Sequence, residues 1–433
     1  MIREKVTACL FLVFLAGISV PMLFSMGNYS LGFIHRRIFQ NDEKSSHLAA
    51  PSQTTFKEES HPVSTDNTSS IFARASILKA AILKVESVFG ERFVIKSQFV
   101  KLNGCFQRLL GRMTVDDANA QYNIVKDTYG RLNFVMDSKM DTTVQSKAVV
   151  DFCIAMKEID LPCVYVFAPT KNCFSSFRLP YGVSDFTREN CEDLLDRIKA
   201  GGVPVYDLRE DIEDAGLDIE SLHFKTDHHW TVPAGFHAFV QVVKRLNSDY
   251  HWNQDMNCDV FDLSKYDSIT IPRFFLGSQG RRVGEYYAGV DDFSYLIPKF
   301  DTKLEVEMHL NDNRTVTKEG SFEHSVIWPY AIEHSAPITR DRYNVYWGTN
   351  RPLIKIHNPN GSHKILLIQD SYGLALSAFL SLKTRNLDIV DLRSFQGSIR
   401  SYAKNGGYDA VLILYSSAPL EAGNAKMFAR LYD

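Results

Sequence analysis

A repeated alternation of strand-like and helix-like segments constrains this chain more than any other feature. CVYVFAP (163–169), PVYDLR (204–209), KILLIQ (364–369), LDIVDLR (387–393) and DAVLILY (409–415) are short apolar runs. A continuous run of this kind suits a strand covered on both faces. The segments between them repeat at helical spacing. Val149, Phe152, Cys153 and Met156 share one face of 145–158, as do Cys191, Leu194, Leu195 and Ile198 in 187–199. Phe236, Phe239, Val240 and Val243 do so in 231–246, where Thr231 suits the N-cap and Pro233 the first turn. A further helix is expected at 372–382. This order predicts an α/β fold, a parallel sheet with helices on both faces. Residues 250–362 break the pattern and read as an irregular or β-rich insertion.

The N-terminus differs from the rest. Val6 to Met26 carries no charge and is just long enough to span a bilayer core. Phe24-Ser25-Met26 offers no small-residue cleavage site, which favours an uncleaved anchor over a signal peptide. Arg3 and Lys5 precede the run and Arg36, Arg37 and Lys44 follow it, so basic residues alone do not orient it. The stretch 44–70 is rich in Ser, Thr and Pro and has the composition of a flexible spacer. Ile77, Ala81, Val85 and Val88 then recur at helical spacing. The expected organisation is an anchor at 1–27, a spacer at 28–70 and a catalytic domain at 71–433 with its insertion at 250–362.

A net charge of −3 with scattered Lys and Arg argues against a general nucleic-acid binder. The chain holds 29 Phe and 19 Tyr, read first as core. Of seven cysteines, none forms a C-x-x-C pair, which argues against a zinc ribbon or thioredoxin site. Cys153 and Cys163 read as buried thiols. Cys173 and Cys191 flank a loop and could pair in an oxidising compartment.

Two segments carry chemistry. Ser371, in Gln369-Asp370-Ser371-Tyr372-Gly373, sits between an apolar strand and an apolar helix, where ligands bind in open α/β sheets. The N–H groups opening that helix are suited to stabilise an oxyanion. A lone serine there is more often a cap. The second segment, Thr226-Asp227-His228-His229-Trp230-Thr231, alters that balance, because a serine needs a base and a base works better when a carboxylate fixes its tautomer. In an extended turn Asp227 and His229 face one cleft and His228 turns away. A metal reading, with Asp227, His228, His229 and His223 or His237 as ligands, ranks lower, since H-E-x-x-H spacing is absent. No metal or other cofactor is expected.

T-D-H-H-W-T before a glycine-containing helix, together with D-S-Y-G after a strand, resembles the DHHW proteins, which are similar to the alginate O-acetyltransferase proteins AlgJ and AlgX and related to the SGNH hydrolases. VYVFAPTKNCFSSFRLP (164–180), FFLGSQGRRVG (274–284) and IVDLRSF (389–395) are similar to segments of the same family. The resemblance implies a flavodoxin-like SGNH fold, with Ser371 as nucleophile, His229 as general base and Asp227 as the carboxylate that orients it. Gln369 stands where the family has glycine, and the usual oxyanion glycine and asparagine blocks are not matched. Lys171, Arg393 and Tyr372 are candidates for contact with substrate at the rim, with structural ion pairing at least as strong a reading for the two cations. The expected function is O-acylation, in particular O-acetylation, of a cell-envelope or exported polysaccharide by an anchored extracytoplasmic enzyme. The resemblance implies a membrane-bound O-acyltransferase as acyl donor. The same triad run as an esterase, or a non-catalytic glycan-binding or assembly protein, are the rival readings.

Overall fold

Strand β4 (Cys163–Phe167) shows how the core is organised: all five residues are buried, with Val164 and Val166 in one apolar cluster and Tyr165 and Phe167 in the other. Successive side chains of a strand point to opposite faces, so both faces of the sheet are covered. The computed structural model describes residues 96–116, 123–218, 221–420 and 427–433, all within the unit Ser87–Asp433. The expected anchor at 6–26, the spacer and the helical signal at 77–88 lie outside the described residues. Among the described residues no helix is long and apolar enough to cross a membrane.

The other strands are β1 (Thr114–Asp116), β2 (Asn123–Lys126), β3 (Leu132–Phe134), β5 (Val205–Asp207), β6 (Tyr266–Phe275), β7 (Asp291–Pro298), β8 (Leu304–His309), β9 (Thr315–Gly320), β10 (Leu353–His357), β11 (Ser362–Gln369), β12 (Thr384–Val390) and β13 (Ala410–Tyr415). The main sheet has eight strands in the order β5-β4-β13-β11-β12-β10-β8-β9. From β5 to β12 the pairings are parallel. Helices Thr187–Ala200, Gly373–Leu380 and Ile399–Asn405 connect successive parallel strands, in the manner of α/β folds.

The sheet is mixed, and this corrects the expectation of a wholly parallel one. β10, β8 and β9 join it antiparallel, and all three come from the insertion. In β8, Leu304, Val306 and Met308 are buried while Glu305 is exposed and Glu307 partly so. That alternation is the mark of an antiparallel strand with one wet face. The rest of the insertion holds the antiparallel pair β6–β7, with helices Ser278–Val283 and Glu285–Ala288 between its strands, and further short helical turns. β1, β2 and β3 form a separate small sheet.

Two helices then bring distant segments together. Helix Val232–Tyr250 begins after the Asp-His-His-Trp segment, and Gly373–Leu380 begins after Ser371. A Cβ on Gly235 would lie 2.5 Å from the Cβ of Ala375. The missing side chain at Gly235 is therefore what lets the first helix lie against the second. Trp230, fully buried, closes the junction by donating from Nε1 to the Tyr372 carbonyl at 3.1 Å.

Candidate active site

Residues 222–231 form a tight loop closed at its base. His223 bridges to Trp230, and the Thr231 N–H donates to the Leu222 carbonyl at 2.7 Å. Within it the Asp291 carboxylate accepts from the Lys225 N–H at 2.9 Å and from Thr226 N–H and hydroxyl at 2.8 and 2.6 Å. Thr226 in turn accepts from Gly277 N–H at Oγ1 and from Gly280 N–H at its carbonyl, both at 2.8 Å. The loop is thus bound to the start of helix Ser278–Val283.

Asp227 projects into this frame. Its Oδ1 accepts from the His229 ring Nδ1 at 2.6 Å and from the His229 backbone N–H at 3.0 Å. Its Oδ2 accepts from the Ser278 N–H at 2.5 Å. Burial opposes the charge on Asp227, but the two neighbouring histidines and these donors outweigh it and hold its carboxyl well below the usual range. An ionised carboxylate only accepts, so His229 carries its proton on Nδ1. The lone pair of Nε2 is then free to accept the Ser371 hydroxyl, 2.6 Å away. The structure therefore places Ser371, His229 and Asp227 in one hydrogen-bonded chain at the carboxyl ends of the parallel strands. Ser371 is half-buried while the other two are buried.

The turn bearing Ser371 is latched from below. Asp370 accepts from the Tyr372 N–H at 2.9 Å and from Ser416 N–H and hydroxyl at 2.9 and 2.7 Å. The expected supply of free N–H groups at the helix start is smaller than the sequence suggested. Tyr372, Gly373 and Leu374 already donate to Asp370 Oδ1, the Asp370 carbonyl and the Ser371 carbonyl. Among the described residues only the Ser371 N–H in this turn lacks an acceptor.

Of the three rim candidates, Lys171 and Tyr372 are buried, and Arg393 forms an ion pair. Lys171 is buried, and its ammonium donates to the carbonyls of Phe224 and Asp227 at 3.0 and 2.7 Å and to Gln279 Oε1 at 3.1 Å. Burial pushes it down to about 7 against the pull of Asp227 and Asp291. It supports the Asp227 loop rather than facing solvent. Arg393 binds the Asp391 carboxylate through Nε and Nη2, the ion pair held open above. Tyr372 is buried, and its hydroxyl donates to the His228 carbonyl.

His228 also departs from expectation. Its ring lies 3.8 Å from that of His229 and its Nδ1 is 2.7 Å from Ser278 Oγ. Burial chiefly pushes it down to about 3. Ligand atoms of Asp227, His228 and His229 lie within 4.8 Å of one another. Both ring nitrogens of His229 are already committed, however, and His223 donates to the Pro169 carbonyl at 3.0 Å, outside this group. Gly277, Ser278, Gln279 and Asp291, which build the Asp227 frame, went unassigned in the sequence. The segment FFLGSQGRRVG was the one signal that pointed at three of them.

Fold and site together define an α/β protein of the SGNH-hydrolase-like class. The family model described as the SGNH hydrolase-like domain of the acetyltransferase AlgX matches residues 136–261. The resemblance to AlgX-like proteins is thereby shown over that span. The matched span holds Asp227 and His229, and Ser371 lies beyond it. The chain is similar in structure to Bacillus cereus PatB1 with a sulfonyl adduct, at TM-score 0.57 and 21% identity over 71% of this chain and 96% of that one. A DHHW family protein from Eubacterium siraeum matches at TM-score 0.51 and 19% identity, over 73% of this chain and 98% of its own. At such identities the likeness is one of fold. No curated protein matches the sequence significantly.

Proposed function

We propose that this chain is an O-acyltransferase, in particular an O-acetyltransferase, that modifies hydroxyls of a polysaccharide or other cell-envelope glycan through an acyl-Ser371 intermediate. The observation that carries the reading is the continuous chain from Asp227 through His229 to Ser371, with 2.6 Å at each link. The match to a domain described as that of an acetyltransferase supports the choice of acyl group.

In the first half-reaction His229 Nε2 takes the Ser371 hydroxyl proton as Oγ bonds to the acyl carbon of the donor. The tetrahedral adduct then expels the donor oxygen, which receives the proton from His229. In the second half His229 accepts the proton of the glycan hydroxyl as that oxygen attacks the acyl carbon. The bond to Ser371 Oγ breaks, and Oγ recovers a proton from the imidazolium. Asp227, ionised throughout, holds the ring and offsets its transient charge. The Ser371 N–H is placed to donate to the oxyanion at one position. The body works outside the membrane, tethered by the apolar segment at 6–26, with the acyl group supplied by a membrane-bound O-acyltransferase.

The test is mass spectrometry of the purified protein after exposure to an activated acetyl ester. Acetyl mass on the peptide containing Ser371, removed faster when an oligosaccharide is added and appearing on that oligosaccharide, is the expected result. Removal by water alone, unaffected by any sugar, makes the chain an esterase. No covalent label at all, under conditions where a sulfonyl fluoride also leaves Ser371 untouched, ends the acyl-enzyme reading.

A further inference from the structure

The ring of His229 has a partner that the hydrogen-bond chain does not require. Tyr343 lies parallel to it, with centroids 3.9 Å apart and planes 10° from parallel. Tyr343 is itself held on several sides. It is 2% exposed, its hydroxyl donates to the Tyr372 carbonyl at 3.3 Å, and its ring meets Phe224 edge-on. Its neighbour Arg342 is fully buried. All five N–H groups of that guanidinium have carbonyl acceptors: Phe274 from Nε, Ala331 and Glu333 from Nη1, Ala336 and Pro337 from Nη2. Such a fully satisfied buried arginine fixes the backbone on which Tyr343 is carried. The insertion therefore delivers a rigid aromatic face to the general base.

We propose that Tyr343 is a positioning residue for His229, whose stacked ring fixes the imidazole plane so that Nε2 stays aimed at Ser371 and whose π face stabilises the imidazolium formed during acyl transfer. The second half of this statement rests on the acyl-transfer reading above; the first does not. Two hydrogen bonds, at Nδ1 and Nε2, define the ring's long direction but leave rotation about that line open. A parallel ring at van der Waals distance removes this freedom. When the ring takes the serine proton, the same face lies against a cation, an attractive arrangement. The Tyr343 hydroxyl plays a separate part. It reaches the carbonyl of Tyr372, where Trp230 already donates, so the ring and not the hydroxyl carries the role.

The experiment compares the full-length protein with its Tyr343→Phe and Tyr343→Leu variants, with Tyr343→Met as a closer match in volume should the leucine chain not fold. Two quantities are measured: the rate at which an activated acetyl ester labels Ser371 at saturating ester, and the low-field proton resonance of the His229 Nδ1–H bound to Asp227. The phenylalanine variant keeps the rate within about 3-fold and keeps the resonance. The leucine and methionine variants lose about 10-fold or more in the saturated rate, a geometric penalty of familiar size, with little change in half-saturation, and their resonance broadens. Leucine and methionine variants that retain both rate and resonance overturn the proposal, as does a phenylalanine variant that falls as far as leucine. Should the wild-type protein show the resonance but never label Ser371, the acyl-transfer reading fails while the resonance still decides whether Tyr343 positions His229.

Discussion

A methyl group placed on Gly277 would lie 2.2 Å from the Cβ of Asp227. The backbone there is extended, with φ of −70°, so the glycine is needed for closeness and not for an unusual dihedral. This closeness lets the Ser278 N–H reach Asp227 Oδ2. Gly277→Ala is therefore expected to push the Asp227 loop away and break the carboxylate–imidazole bond. Acylation of Ser371 should fall by about 10²-fold or more, with the melting transition still cooperative. A wild-type rate in a folded Gly277→Ala protein would show that the loop tolerates the shift.

The three members of the hydrogen-bonded chain should matter unequally. Ser371→Ala leaves no atom to acylate, and labelling should vanish. Asp227→Asn keeps the shape but presents an amide that tolerates the wrong imidazole tautomer, a change that costs about 10⁴-fold in serine proteases. Chelators should leave the rate unchanged, because both ring nitrogens of His229 are hydrogen-bonded within the chain. Loss of activity on chelation, with Ser371→Ala unaffected, would move the chemistry to the Asp227, His228 and His229 ligand set.

Folding stability should fall in acid through His223. Its Nε2–H donates to the Pro169 carbonyl and its Nδ1 has no partner among the described residues, so the buried ring is neutral. Burial pushes it down from 6.5 to about 3. Between those values the unfolded chain binds a proton that the folded chain does not. The contribution is complete above pH 6.5 and is lost as pH falls toward 3. Urea melts from pH 6.5 to 4 should show a slope that His223→Phe reduces by up to about 1.4 kcal/mol per pH unit. Equal slopes in the two proteins would count against a neutral buried His223.

Cys173 and Cys191 are buried with their sulfurs 3.9 Å apart, so small rotations of both side chains would close a bond of about 2.05 Å. Oxidised glutathione, itself reduced in the exchange, should convert the pair to a disulfide joining the segment Lys171–Cys173 to helix Thr187–Ala200. The expected gain in stability is about 3 kcal/mol, read as a higher melting temperature, with a cross-linked peptide under non-reducing conditions. Recovery of both cysteines fully alkylated after oxidation would exclude the link.

What the sequence revealed follows from how each residue does its work. The parallel strands were legible because burial on both faces leaves unbroken apolar runs such as VYVF and ILLI. The antiparallel extension was not, since strands with one wet face, such as Leu304–His309, mix charge with apolar residues and resemble loops. Ser371, His229 and Asp227 stood out because their chemistry depends on side-chain type and on local context. The frame around them depends on backbone amides of Gly277 and Ser278 and on the ring of Tyr343, whose parts come from where the fold brings them and not from their local sequence. Lys171 and Arg393 were noticed for their charge, yet one supports a loop from inside and the other pairs with Asp391.

His229 and Ser371 are 142 residues apart in the chain, and the intervening insertion supplies both the amide that binds Asp227 and the ring that lies on His229. On a ribosome His229 is made long before Ser371, and the turn bearing Ser371 is not latched until Ser416 has followed. Contacts of such long range form slowly. A chain that stops short of Ser416 thus holds the His229 imidazole but lacks the latch on the Ser371 turn, and the proposed acylation is expected only once Ser416 has been added.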